Sequence, residues 1–438
     1  MNNIMNFKAN AKVVIEQGEE RLYSTYKPTV EKERVENVVI GVDSGSTQVR
    51  TTICRLADEI EAFDNVYVIP STFTELKDTS EIVSDDTKLY YNMDSIISNN
   101  ILPPYNKFDK ARILRGNKFI NANGAVARIN SSIQKVDTAA FYINIIDAIA
   151  YSLIMDSAER NMPMADVYKV SLSCSLPPDD VTSTKNQQTF INSIKGDFNW
   201  LNNDLKVSFK IQVVNVNVTT EPEAAIKCHY MFSGDEIPES VLGLDAGGRS
   251  IGSEILFGGK SFDPARKTFR YGGNQLIDLI ADKYVNKYGG SKPKEDAIKR
   301  ALPTGLYSRA KNVTDITDII IESKREFGLK LYGDLIKNVF DTQSIISADE
   351  IEAIVLTGRC FGRGDYDCSI ADVIIEEFSA ISPSCEIIQE DGYLIPVGNA
   401  IIGFSEFQDV LRQNTCTINR LPSSEDEIEE VAITTDSE

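Results

Sequence analysis

Two short stretches place an acid and small polar residues in an order suited to phosphate chemistry. In VVIGVDSGSTQVR, residues 38–50, Asp43 closes an apolar run and a Gly-Ser-Thr turn follows. Gly45 has no side chain, so backbone N–H groups can approach an anion there, and Ser46 and Thr47 add hydroxyl donors. Asp43 is too acidic to touch phosphate directly; it suits the waters of Mg²⁺, an ion that keeps much of its hydration shell. LGLDAGGRS, residues 242–250, repeats the logic with Asp245, Gly247, Gly248 and Ser250. Either turn alone is equally well read as a tight hairpin, since Gly and Asp are ordinary turn residues. Two copies a domain apart, each at a strand end, favour a pair of hairpins that clamp a nucleoside triphosphate and its metal.

Between them lies TTEPEAAIKC, residues 219–228. Pro222 and its neighbouring acids start a helix well, because proline suits the first turn and acids suit the helix dipole. A second reading points Glu221 into the cleft, where its carboxylate orients a water at the γ-phosphate; phosphoryl transfer asks mainly for positioning and charge stabilisation. IVLTGRCFGRG, residues 354–364, ends a buried strand in a glycine-punctuated turn. Gly358 and Gly362 would let backbone lie against a flat purine, although the turn by itself is an ordinary strand-to-helix connection.

The elements that must position these residues alternate between strand and helix, which indicates the α/β class. Strand signals flank both Asp–Gly turns. Residues 137–161 form an apolar helix for which Asp137 is a candidate N-cap. VYKVSLSCSLPPDD, residues 167–180, reads as a strand stopped by Pro-Pro, and SGDEIPES, residues 233–240, as a linker. The expected division is an extension over 1–36 and a first domain over 37–235 with an insertion at about 57–130. A second domain follows over 236–398 with an insertion at about 263–345. A helical region over 399–420 returns to the first domain, and 421–438 form an acidic disordered tail.

Composition narrows the function. Net charge is −20, which disfavours direct nucleic-acid binding and anionic membrane surfaces, because phosphate neutralisation needs clustered Lys and Arg. Seven cysteines with no Cys-x-x-Cys, and a single histidine, make zinc sites improbable and suggest reduced thiols in a cytoplasm. No apolar leader is evident at the N-terminus, so a soluble cytoplasmic protein is expected.

Together the motifs resemble those of the actin/Hsp70/sugar-kinase superfamily. VIGVDSGSTQVR is similar to its phosphate-1 motif, TEPEAA to the first connecting motif, LGLDAGGRS to phosphate 2, VLTGRCFG to the adenosine motif and PVGNAIIGF to the second connecting motif. They occur in the family's order over most of the chain. The chain most resembles bacterial actin-like proteins of the ParM/Alp type, with CSLPPDD and YGGNQLIDLI adding to the likeness. The resemblance implies an actin-like fold of two related α/β domains, in four subdomains, around a nucleotide cleft. It implies ATP or GTP as nucleotide, with hydrolysis coupled to filaments that segregate plasmid DNA through a basic DNA-binding adaptor.

The resemblance also implies site residues. Asp43, Glu221 and Asp245 would be catalytic, with Asp43 and Asp245 holding Mg²⁺ through water. Ser44, Gly45, Ser46, Thr47, Gln48, Gly247, Gly248, Arg249, Ser250, Lys324, Gly358, Arg359 and Phe361 would surround the nucleotide. Phosphate 2 departs from the family pattern: Arg249 and Ser250 replace two threonines and Gly252 an acid. Arg249 either adds charge near phosphate or faces solvent. Two other readings use the same fold. A small-molecule kinase would need a substrate base, for which Asp179 or Asp180 is available, although both are expected to be solvated loop residues. An Hsp70-like chaperone or reactivating factor would need a peptide-binding domain or a partner subunit.

Overall fold

The computed structural model describes residues 26–45, 48–55, 65–76, 94–99, 110–115, 125–127, 135–309, 312–341, 346–361, 370–390 and 392–418. Ten strands form the first sheet: β1 (Val30–Ser44), β2 (Gln48–Cys54), β3 (Tyr67–Pro70), β4 (Phe73–Leu76), β5 (Asp94–Asn99), β6 (Lys110–Leu114), β7 (Ala125–Ala127), β8 (Met164–Leu176), β9 (Gly196–Asn202) and β10 (Val207–Thr220). Their order is β3-β2-β1-β8-β10-β9-β5-β6-β4-β7. The second sheet has β11 (Ser240–Ala246), β12 (Ile251–Phe257), β13 (Lys260–Ser261), β14 (Lys267–Phe269), β17 (Ala353–Thr357) and β18 (Glu386–Gln389), in the order β13-β12-β11-β17-β18 with β14 also on β12. A separate hairpin joins β15 (Leu306–Arg309) to β16 (Asn312–Asp315).

The two sheets share one plan. In each, an antiparallel hairpin, β1–β2 or β11–β12, is followed by a parallel neighbour, β8 or β17. Ligands of open parallel sheets gather beyond the carboxyl ends of the strands. Register puts the acids there: Asp43 lies beside Ser175, which lies beside Thr219, while Asp245 lies beside Thr357.

Helices are α1 (Ala139–Glu159), α2 (Pro178–Thr182), α3 (Thr184–Ile194), α4 (Glu221–Ser233), α5 (Gly273–Tyr288), α6 (Glu295–Ala301), α7 (Thr317–Leu335), α8 (Ile370–Ile381) and α9 (Leu394–Ile418). The helix α1 is long and apolar enough to span a membrane, yet it is buried almost throughout, packed against the first sheet. Its apolar residues pack with Phe190, Phe198 and Trp200.

Three local expectations change. The strand β1 begins at Val30, before the apolar run, because its polar first half pairs with β8. The N-cap of α1 is Thr138, not Asp137, which sits in a preceding 3₁₀ turn over Lys135–Asp137. Asp179 and Asp180 belong to α2, and Asp180 is buried with Asn186 Nδ2 donating to it at 2.9 Å.

Near its start α9 crosses β1 and α4 at minimal separation. A Cβ on Gly41 would lie 2.0 Å from the Pro396 carbonyl oxygen, and one on Gly398 would lie 1.9 Å from that of Ala224. This crossing sets buried Asn399 between two strand ends, where its amide donates to Val42 O at 2.8 Å and to Ser175 Oγ at 3.1 Å.

Candidate nucleotide site

Asp43 is the penultimate residue of β1, with its side chain buried. Register sets it directly across from Arg50 on β2, so both side chains leave the same face. The guanidinium reaches Asp43 Oδ2 at 3.3 Å, donates to the Gly392 carbonyl at 2.9 Å and lies 4.8 Å from the centre of the Tyr393 ring. Burial pushes the Asp43 carboxyl up to about 6, with Arg50 opposing and Glu221 adding to the rise. Asp245 is held well above its ordinary value by desolvation and by the charges of Glu221 and Asp43. The structure thus brings the three predicted acids together at the ends of two sheets.

Glu221 is the first residue of α4. Thr220 caps that helix, its hydroxyl accepting from Glu223 N at 3.1 Å, and Pro222 occupies the first turn, where a missing N–H costs nothing. A Cβ on Gly243 would meet Pro222 Cβ at 2.9 Å, so the second sheet lies directly against the residue after Glu221.

Lys135 completes the cluster. Its ammonium donates to Ser44 O at 3.1 Å and to Glu221 Oε1 at 3.2 Å. Desolvation alone would lower its pKa, but Glu221 and Asp43 outweigh that and leave it raised, so the cation persists. Two cations therefore face three acids.

The second hairpin is built by close packing. Gly247 N donates to Ser250 O at 3.0 Å and closes the turn; Gly273 N and Asn274 N, at the start of α5, donate to Gly247 O and Gly248 O at 3.0 and 2.8 Å. A Cβ on Gly272 would lie 2.4 Å from Gly247 O and one on Gly273 2.8 Å from Cys360 Sγ, which explains the Gly-Gly at the start of α5. Gly358 has φ +94 and a Cβ there would lie 2.6 Å from Ala246 O, so this position needs glycine on both counts. The Cys360 thiol donates to Gly247 O at 3.4 Å.

At the first turn, Ser71 Oγ donates to Gly45 O at 2.7 Å, and Gln48 opens β2 half-buried. Ser46 and Thr47 lie outside the described residues, as does Gly362. Arg249 is half-buried rather than fully exposed, and Lys324 is buried on α7. Arg359 lies in a 3₁₀ turn over Arg359–Phe361. Phe361 is a correction: its ring is packed in the second hydrophobic core, 2% exposed, and so supports the loop from beneath.

The site has room for polar ligands in its bonding pattern. Buried Thr357 Oγ1, on the register partner of Asp245, makes no hydrogen bond within the protein. Among the described residues no three His, Cys, Asp or Glu side chains form a metal-binding group. Two carboxylates that need phosphate oxygens and water to complete a coordination shell fit Mg²⁺ better than a dedicated protein cage would.

Sequence reasoning passed over Arg50, Lys135 and the role of Asn399. Hairpin register was the available signal for Arg50, because counting outward from the turn sets it opposite Asp43. Lys135 follows no motif, and only the fold brings it to Glu221.

No protein-family model matches the chain, and no curated protein sequence matches it. Solved structures do. The actin-like protein Alp7A matches with TM-score 0.59 and 14% identity over 88% of this chain and 100% of that one. A ParM from Clostridium botulinum, solved as a 15-stranded filament, matches with TM-score 0.55 and 14% identity over 84% and 99%. An archaeal actin homologue in complex with ADP matches with TM-score 0.56 and 11% identity over 85% and 99%. The chain has the actin-like fold seen in ParM and Alp structures.

Proposed function

We propose that this chain binds ATP or GTP between its two domains and hydrolyses it in step with self-assembly into filaments. The observation that carries the reading is the convergence of Asp43, Glu221 and Asp245, from two sheets, around Arg50 and Lys135. Ser44 to Gln48 and Gly247 to Ser250 would bind the phosphates, the Gly358 loop would face the purine, and Lys324 would reach the nucleoside. Asp43 and Asp245 would hold Mg²⁺ through water, where the ion would neutralise charge on the phosphates. Glu221 would then orient the attacking water, with Lys135 fixing its carboxylate by hydrogen bond and charge.

Filament formation rests on likeness to proteins solved as filaments. We extend it to plasmid segregation in a cytoplasm through a basic DNA-binding adaptor, since a chain of net charge −20 is a poor direct ligand for DNA. The kinase reading's two candidate bases both have hydrogen-bond partners. Asp179 exchanges hydrogen bonds with Thr268 of the second sheet, at 3.0 and 2.9 Å, and Asp180 is held by Asn186.

Phosphate release and pelleting, followed together after addition of ATP or GTP with Mg²⁺, test the reading. Wild-type filaments should assemble and then turn over. Glu221→Gln should bind nucleotide and assemble, but hydrolyse at least about 100-fold more slowly, so its filaments persist. Hydrolysis at the wild-type rate in that variant would remove Glu221 from the chemistry. A failure of the wild type to pellet with either nucleotide would remove the filament.

A further inference from the structure

A second buried carboxylate stands behind Glu221. Glu254, on β12 of the second sheet, is fully buried. Three donors converge on it. Arg266 Nε reaches Oε1 at 3.0 Å, Ser261 Oγ donates to the same oxygen, and Thr220 Oγ1 donates to Oε2. Ser261 and Arg266 belong to the second domain, but Thr220 ends β10 of the first and caps the helix that begins at Glu221. The residue on the other side of Glu221 is pinned as well. Pro222 lies against Gly243 and Gly252 of the second sheet, where a Cβ would come within 2.9 and 3.5 Å of its ring.

We propose that Glu254 is a positioning residue for hydrolysis: through the Thr220 hydroxyl it fixes the start of α4 to the second sheet, so that Glu221 reaches its working position only when the two domains are correctly set. The inference rests on the reading of Glu221 as the water-orienting group. Chemistry makes the bond directional. The Thr220 oxygen accepts from Glu223 N, and its own proton goes to Glu254 Oε2. Glu254→Gln would have to keep its carbonyl oxygen toward Arg266. Its amide NH₂ would then face Thr220, and the hydroxyl proton would lose its acceptor. The shape of the site survives while the direction of one hydrogen bond reverses.

Steady-state and single-turnover hydrolysis of Glu254→Gln, Thr220→Val and Thr220→Ser test this, with melting temperature and nucleotide affinity measured beside them. Glu254→Gln and Thr220→Val should keep affinity within about twofold and lose about 10- to 100-fold in rate, the size expected of a small misplacement. Thr220→Ser keeps both the cap and the hydroxyl and should restore the wild-type rate. In a Glu221→Gln background, Glu254→Gln should slow hydrolysis by less than about twofold, because two residues acting through one group do not add. Wild-type rates in both Glu254→Gln and Thr220→Val overturn the proposal, and so does an equal slowing in the two backgrounds. If Glu221→Gln alone hydrolyses normally, the reading of Glu221 fails and this one with it. If Glu221→Gln is slow while Glu254→Gln and Thr220→Val are not, only the coupling fails.

Discussion

Asp43 illustrates how a single buried acid sets conditions for the whole site. Its carboxyl titrates at about 6, above the ordinary 3.8, chiefly because burial disfavours the ionised form. A folded-state value above the unfolded one means the group favours folding only while protonated. That contribution is complete below pH 3.8 and is lost as pH rises through 6. Nucleotide-free protein at neutral pH therefore carries an ionised acid that Arg50 and Lys135 offset. A divalent ion bound with nucleotide phosphates would add the missing positive charge, and protons would compete with it. Affinity for the Mg²⁺ nucleotide should therefore be level near pH 7.5 and fall as pH drops through 6, by up to about tenfold per unit for one competing proton. Titration of a fluorescent nucleotide between pH 7.5 and 5.5 measures this, and a flat affinity would rule out Asp43 as part of the metal shell. At this scale the acids were legible because residue type and strand-end position both announce them. Lys135 was not, since its partners Ser44 and Glu221 lie far from it in sequence. Phe361 misled because a loop aromatic near a motif looks exposed until the core beneath it is known.

At the scale of elements, glycines mark where backbones touch, and their surroundings divide them into two kinds. Gly398 lies where α9 crosses α4, and a Cβ there would sit 1.9 Å from the Ala224 carbonyl oxygen. The two helices must move apart to admit it, and α9 also carries Asn399, which ties the end of β1 to β8. Gly398→Ala should cost about 3 kcal/mol, at the upper end of ordinary overpacking, and should weaken nucleotide binding by shifting Asp43. Gly333, inside α7, has nothing within 4 Å of its would-be Cβ and no positive φ. Gly333→Ala should stabilise the protein by about 0.5–1 kcal/mol, because alanine loses less backbone entropy on entering a helix. Denaturant melts of both variants check the pair; equal effects would show that the crossing is looser than its geometry indicates. The strand–turn–strand units were legible from apolar runs and turn residues. Their boundaries were less so, as with the polar first half of β1, which is held by its neighbour rather than by its own pattern.

For the whole molecule, sequence repetition carried the main result. Two Asp–Gly hairpins a domain apart became two sheets of the same plan, with their acids brought face to face. How the halves are joined was hidden, because Asp179 with Thr268 and Thr220 with Glu254 are contacts between distant residues with no pattern of their own. The net charge of −20 has a consequence for assembly that no single residue expresses. In the filament proposed above, each added subunit would bring that charge against its like, and self-repulsion would oppose association over about one Debye length, ~10 Å at 0.1 M salt and ~30 Å at 0.01 M. If apolar and hydrogen-bonded contacts hold subunits together, screening relieves the repulsion while leaving those contacts intact. The critical concentration for nucleotide-dependent pelleting should then fall several-fold between about 25 mM and about 150 mM KCl at constant Mg²⁺. If subunits are instead held by complementary ion pairs, salt weakens the attraction and the critical concentration rises. The direction of that change, measured at fixed nucleotide, therefore separates a filament built against its own charge from one built by it.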